Sequence, residues 1–228
     1  NKVSKYKLVL FDLDGTLIDT DKLIFMSYKH VLDKYRSDYK VSFDEMIDFL
    51  GPTLMDTFKV YFPGMDHDEI IEEYREYNVS HHRKFVNAFK GAESTLKELR
   101  ELGIHVGVVT SKRKDVADFG LQEFGLDKYC ELLIDCNAVT KYKPDPEGII
   151  KAMNHFNVLP NETLMVGDSK SDMLAGINAK CDTIAVDYSI KGEFYKDLNV
   201  NYVISELSEI IKIVKEKYPE TKVVVYSM

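Results

Sequence analysis

The clearest early pattern is a run of apolar, strand-forming residues, Leu8 to Phe11, that stops at an acidic turn. Such a short apolar run bounded by polar residues predicts a buried strand. From Asp19 to about Phe89 the spacing becomes helical. Leu23, Tyr28, Val31, Leu32 and Tyr35 recur near helical intervals. Ser42, three residues before Glu45, is a capping-box signature for a short helix running to Phe49. Gly51-Pro52 breaks that helix, and Thr53 caps the next, which covers Leu54, Phe58 and Tyr61. After Pro63-Gly64, Asp66 starts the longest helix, with Ile70, Tyr74, Tyr77, His81, Phe85 and Phe89 down one side. No strand pattern interrupts this stretch, so it is expected to be four helices and nothing else.

Beyond it, strands and helices alternate. Ala92, Leu96, Leu99 and Leu102 mark a helix that Gly103 ends. Strands are predicted at Val106 to Val109, Leu132 to Ile134, Leu164 to Val166, Thr183 to Val186 and Tyr202 to Ile204. Helices are predicted at Val116 to Phe124, Glu147 to Phe156, Ser171 to Ala179 and Leu207 to about Lys217. This alternation implies a parallel sheet with helices on both faces. The expected fold is therefore α/β, a Rossmann-like doubly wound parallel sheet over residues 1–17 and 89–228, interrupted by an all-helical insert over 18–88. The tail from Thr221 to Met228 reads as one more strand.

Composition narrows the function. The chain has 228 residues, 45% of them apolar, enough for one large domain with an insert. Thirty basic against 38 acidic residues give a net charge of −8, a poor match for nucleic acid. The cysteines, Cys130, Cys136 and Cys181, are odd in number and lack metal-ligand spacing, so buried free thiols in a reducing compartment are expected. No apolar run is long enough to span a membrane and the N-terminus has no signal-peptide pattern, which gives the expectation of a cytoplasmic protein. The oligomeric state stays open.

The chemistry sits at the strand ends, where open α/β sheets bind their ligands. The first strand ends in Asp12 and Asp14, with Gly15 permitting a sharp turn and Thr16 following. Two like charges so close need a cation or a shared proton, and magnesium suits hard carboxylate oxygens. The strand Val106 to Val109 ends in Thr110, Ser111 and Lys112. The strand Leu164 to Val166 ends in Gly167-Asp168-Ser169, with Asp172 further on. Lys141 and Lys143 lie on the loop between. This set suits phosphoryl transfer. One carboxylate can attack phosphorus, a second can protonate the leaving oxygen and later activate water, and magnesium with a lysine offsets the phosphate charge.

Asp12-x-Asp14-Gly15-Thr16, Thr110, Lys143-Pro144 and Gly167-Asp168 with Asp172 match, in order, the four motifs of the haloacid dehalogenase superfamily, which the chain resembles over essentially its whole length. The resemblance implies that Asp12 is the nucleophile and Asp14 the acid/base. It implies that Thr110 and Lys143 bind phosphate, and that Asp12, the Asp14 carbonyl and Asp168 hold magnesium, with Asp172 in support. It also makes the helical insert a cap that closes over a small phosphorylated substrate. Gly51-Pro52-Thr53-Leu54, the segment Tyr74 to Asn78 with His81-His82, Thr110-Ser111-Lys112 and Lys143 to Glu147 resemble the branch of inorganic pyrophosphatases linked to HPr dephosphorylation, and next the phosphoglycolate phosphatases. Lys180 and Arg83 depart from that pattern, standing where a glycine and an acid are usual.

Ser111, a hydroxyl at the strand end, joins the candidate substrate-binding residues, and because pyrophosphate has an anionic leaving group so does Lys112, with Arg75, Arg113 and Lys141 as further candidate cations. His81 and His82 point about 100° apart on a helix and do not suit one shared metal ion. His81, on the apolar stripe, is the expected core histidine. The alternatives are a phosphoglycolate or sugar-phosphate phosphatase, a phosphomutase and, in a different class, a non-catalytic ligand sensor. Retention of Asp12, Asp14 and Asp168 speaks against the sensor.

Overall fold

The computed structural model describes residues 4–216. In chain order, β1 (Leu8–Phe11) leads through β2 (Ile18–Asp19) into α1 (Asp21–Tyr35), α2 (Phe43–Asp48), α3 (Leu54–Tyr61) and α4 (His67–Phe85). The chain returns by β3 (Asn87–Ala88) to α5 (Ala92–Glu101), β4 (His105–Val109), α6 (Lys114–Glu123) and β5 (Leu132–Ile134). Then come α7 (Glu147–Phe156), β6 (Thr163–Gly167), α8 (Lys170–Asn178), β7 (Asp182–Val186), β8 (Tyr202–Ile204) and α9 (Glu209–Lys215).

Six strands form one parallel sheet in the order β5-β4-β1-β6-β7-β8. Every residue of β1 is buried, because both faces of the sheet are covered. Val9 and Phe11 pack with Leu96 and Leu99 of α5, Leu121 of α6 and Ile210 of α9. Leu8 and Leu10 pack on the other face with Ile149 of α7 and Ala175 of α8. Burying each such side chain stabilises the fold by about 1.5–3 kcal/mol. The fold is the expected Rossmann-like α/β sheet.

The four helices α1 to α4 share a separate apolar cluster. Tyr28 lies at its centre, stacked on Phe49 at 4.3 Å and edge-on to Tyr74 at 4.9 Å. The expected caps are present. Ser42 and Glu45 form the capping box of α2, Thr53 accepts from Asp56 N, and Asp66 accepts from Asp68 N.

The structure departs from the sequence reading in several places. Residues 18–88 are not wholly helical, because β2 and β3 pair antiparallel where the chain leaves and re-enters the sheet region. Two-residue strands are too short to leave a period in the sequence. Phe89 is not on α4; its backbone N–H donates to Leu17 O at 2.9 Å and its ring packs on Tyr188. On α4 the buried histidine is His82, at 1% exposure, whereas His81 is half-buried and stacks on Tyr77. Leu102 is 43% exposed rather than part of the apolar face of α5. All three thiols are free, but only Cys181 is fully buried. The expected strand from Thr221 to Met228 lies outside the described residues. No helix among the described residues is long and apolar enough to cross a membrane.

Candidate active site

The connection after β1 leads to β4 on one side, and the connection after β5 crosses back to β6 on the other. The carboxyl end of β1 is thus the switch point of the sheet, where a crevice must open. Asp12 follows β1, Thr110 follows β4 and Asp168 follows β6, so the topology alone brings these three together.

Asp12, Asp168 and Asp172 each offer a carboxylate oxygen, and these oxygens lie within 4.8 Å of one another. Gly15 makes this approach possible. Its φ is +80°, and a Cβ placed there would lie 2.0 Å from Asp168 Oδ2. Gly167 does the same on the other side, where a Cβ would lie 2.3 Å from that of Asp172. Asp172 occupies the first turn of α8. Its Oδ2 accepts the Asp168 and Ser169 backbone N–H groups at 3.2 Å, while Ser169 Oγ accepts from Asp172 N. The helix cap therefore also aims Asp172 at the site.

Lys143 ties the cluster together. Its Nζ donates to Asp12 Oδ1 at 3.0 Å, Asp172 Oδ1 at 2.7 Å and the Val109 carbonyl at 3.0 Å. Lys141, the competing lysine, is exposed at the rim of the cavity. Burial pushes the Lys143 ammonium toward its neutral form, but the charges of Asp12 and Asp172 outweigh it and raise its pKa. Asp172 shows the reciprocal effect. Burial raises its pKa, yet Lys143 outweighs burial and holds the carboxyl below the usual range. Asp12 is pushed well above its ordinary value by burial and then by the charge of Asp172, against the pull of Lys143. Burial raises Asp168 to about 6.

Asp14 points a different way and pairs with Lys112 Nζ at 2.9 Å. Thr110 is 5% exposed, and its Oγ1 accepts from Lys112 N at 3.1 Å. The Ser111 hydroxyl donates to the Gly51 carbonyl in the loop between α2 and α3. Thr16 faces inward behind the turn, with its carbonyl accepting from the Tyr188 hydroxyl. Asp12, Asp14, Thr110, Ser111, Lys143, Asp168 and Asp172 line one cavity of about 550 Å³. Lys112 lines an adjoining cleft of about 1220 Å³ between the helices and the sheet. Of the other candidate cations, Arg113 is taken up by Asp115, while Arg75 lines the second cleft with a buried, unpartnered Nε. His82 is buried with its Nδ1 against Glu123 and its ring edge-on to Phe119, and it also lines the second cleft.

Asp21 and Lys191 are among the residues of the cavity that sequence reasoning missed. Asp21, in the first turn of α1, is raised to about 7 by burial and then by Asp19, Asp168 and Asp14. Its signal was ambiguous, since an acid in a first turn also suits the helix dipole. Lys191 comes from the segment after β7, and nothing in its local sequence marks it.

The donor set fits a hard divalent cation. Among the described residues only oxygen ligands converge there, Lys143 leaves part of the carboxylate charge unmatched, and Asp168 Oδ1 is buried without a hydrogen-bond partner.

The profile of the haloacid dehalogenase-like hydrolases matches residues 9–186. The pyrophosphatase PpaX of Halalkalibacterium halodurans is 39% identical over 210 residues, covering 92% of this chain and 97% of that one. The crystal structure of a predicted phosphatase from Clostridium acetobutylicum matches with a TM-score of 0.76 at 29% identity, over 91% of this chain and 97% of that one. A predicted phosphoglycolate phosphatase from Haemophilus somnus matches with a TM-score of 0.78 at 21% identity, over 92% and 98% of the two chains, a likeness of fold.

Proposed function

The chain belongs to the family of haloacid dehalogenase-like hydrolases, and on that premise we propose that it hydrolyses inorganic pyrophosphate through a phosphoenzyme on Asp12, with magnesium bound. The observation that carries the reading is the convergence of Asp12, Asp168 and the Lys143–Asp172 pair at the end of β1, with Asp14 set apart on Lys112. The choice of pyrophosphate rests on the 39% identity to an enzyme of that name and on the Lys112 ammonium beside Asp14.

A carboxylate oxygen of Asp12 attacks phosphorus while the bond to the bridging oxygen breaks. Asp14 donates a proton to that oxygen as the second phosphate leaves, then takes a proton from the water that cleaves the acyl phosphate and frees Asp12. Lys143 fixes the attacking carboxylate and offsets charge on the transferred group. Thr110 and Ser111, which line the same cavity, hold the remaining phosphoryl oxygens. Asp12, the Asp14 carbonyl and Asp168 would hold magnesium, which when bound neutralises carboxylate–phosphate repulsion. The helical insert acts as a cap. The Ser111–Gly51 contact ties its loop to the sheet side, so closure excludes bulk water and bulky substrates.

Phosphate release from pyrophosphate, phosphoglycolate and a panel of sugar and nucleotide phosphates tests this, with magnesium present. Pyrophosphate should have the highest kcat/KM. A higher value for phosphoglycolate overturns the substrate, and release from no compound overturns the mechanism as well.

A further inference from the structure

The catalytic cavity contains a cation to which the chemistry above gives no task. Lys143 is held by Asp12 and Asp172, and Lys112 by Asp14. Lys141, Lys170 and Lys191 also line the cavity, and among the described residues none of their ammoniums has an ion-pair or hydrogen-bond partner, but Lys141 and Lys170 are exposed whereas Lys191 is half-buried. Only its backbone is anchored, by the Lys191 N–H donating to Ser189 Oγ at 3.2 Å. A lysine left unpaired beside carboxylates is suited to an anion that arrives with the substrate.

Its position is specific. A Cβ built on Gly51 would lie 3.8 Å from Lys191 Nζ, so the ammonium abuts the loop between α2 and α3. The Gly51 carbonyl on that same loop accepts from Ser111. Lys191 and Ser111 therefore meet the helical insert from two different loops of the sheet. The Lys191 charge is also felt at Asp21 on α1 and at Asp168 on the cavity floor. The lysine thus stands between the reacting carboxylates and the insert loop, inside the cavity that a leaving group must also occupy. Departure of phosphate from pyrophosphate puts roughly two negative charges there, in a cavity already crowded with acids.

We propose that Lys191 binds the departing phosphate and makes the enzyme select anionic phosphate leaving groups over alcohols. The substrate class rests on the pyrophosphatase reading above; the anion-binding role of Lys191 is tested without turnover.

Calorimetry with imidodiphosphate, a non-hydrolysable pyrophosphate analogue, and magnesium reads the site directly. Lys191→Met should weaken analogue binding about tenfold to a hundredfold, the value of one hydrogen bond between charged groups. Lys191→Arg should restore most of it, and magnesium binding alone should not change. In kinetics, Lys191→Met should lower kcat/KM for pyrophosphate by a similar factor while glycerol 2-phosphate, whose leaving group is a neutral alcohol, changes less than about threefold. Unchanged analogue binding in Lys191→Met overturns the proposal. So does no analogue binding by the wild type, an equal loss on both substrates, or a parallel loss of magnesium affinity, which would make Lys191 a support of Asp168. Lys191-dependent analogue binding without pyrophosphate turnover would sink the pyrophosphatase reading and leave the anion site standing.

Discussion

A single ammonium, that of Lys143, satisfies two of the three clustered carboxylates, and what it leaves over should govern stability. Asp168 ionises near pH 6 in the folded protein because burial disfavours its charge, against about 3.9 when unfolded. Between those values the native state holds a proton that the unfolded state has lost, so stability falls as pH rises through that window. Asp12, also raised, adds the same sign. Asp172, held low by Lys143, contributes the opposite sign but at lower pH, where its stabilisation disappears as the carboxyl protonates. Asp21, raised to about 7, extends the window with the same sign as Asp168, so metal-free protein should lose thermal stability between about pH 4 and 7, on the order of 5 °C for a chain this size. Magnesium should remove most of that decline, because a cation favours the ionised carboxylates. Melting curves across pH, in chelator and in magnesium, check this, and a metal-free Tm that rises through the window would refute it. The residues concerned were legible in the sequence because each directly follows a strand or opens a helix. Lys191 and Asp21 were not, because their place in the cavity depends on how a loop and the insert fold back over the sheet.

At the scale of elements, α8 links folding to chemistry. Ser169 caps it, Asp172 is the third residue inside it, and the reciprocal bonds between them fix the carboxylate that grips Lys143. Ser169→Ala removes the acceptor for Asp172 N and should cost about 1 kcal/mol of stability, as losses of a helix cap do. Its effect on turnover should be larger than that suggests, since a looser Asp172 lets Lys143 drift from Asp12. Urea denaturation and steady-state kinetics measure both, with kcat expected to fall more than KM changes. A stability loss with kcat untouched would show that the cap serves the helix alone. The start of α2 was readable because Ser42 sits three residues before Glu45, whereas the same spacing at Ser169 and Asp172 went unread and the start of α8 was expected at Ser171. The buried face of α4 was not readable either. Its sequence stripe pointed to Tyr77 and His81, but the helix buries Ile71, Asn78 and His82. One part of it packs on α1, and its last turns meet Glu123 and Phe119 of α6, a partner more than thirty residues away that no local period reveals.

For the whole molecule, two groups of apolar side chains must cooperate for the site to work. One clothes both faces of the sheet, and the other lies within the four helices, around Tyr28 and Phe58. The change from strand to helical spacing and back made the insert legible. Its grip on the sheet, through the β2–β3 pair, the Ser111–Gly51 bond and the packing of His82, was not. These links are few beside the burial inside each group, so the insert should be able to lose its packing before the sheet does. Phe58 is fully buried in the helical group, and it lines neither of the two clefts. Phe58→Ala should remove about 3–5 kcal/mol from that group while the sheet residues keep their contacts. Thermal unfolding should then separate into two steps. The first would lower the helical circular dichroism signal and abolish pyrophosphate turnover together, because water is no longer excluded from Asp12. The second would report the sheet. A single transition in which helical signal, sheet signal and activity fall together would mean that insert and sheet unfold as one cooperative unit, and that closing over substrate is not a motion the insert makes on its own.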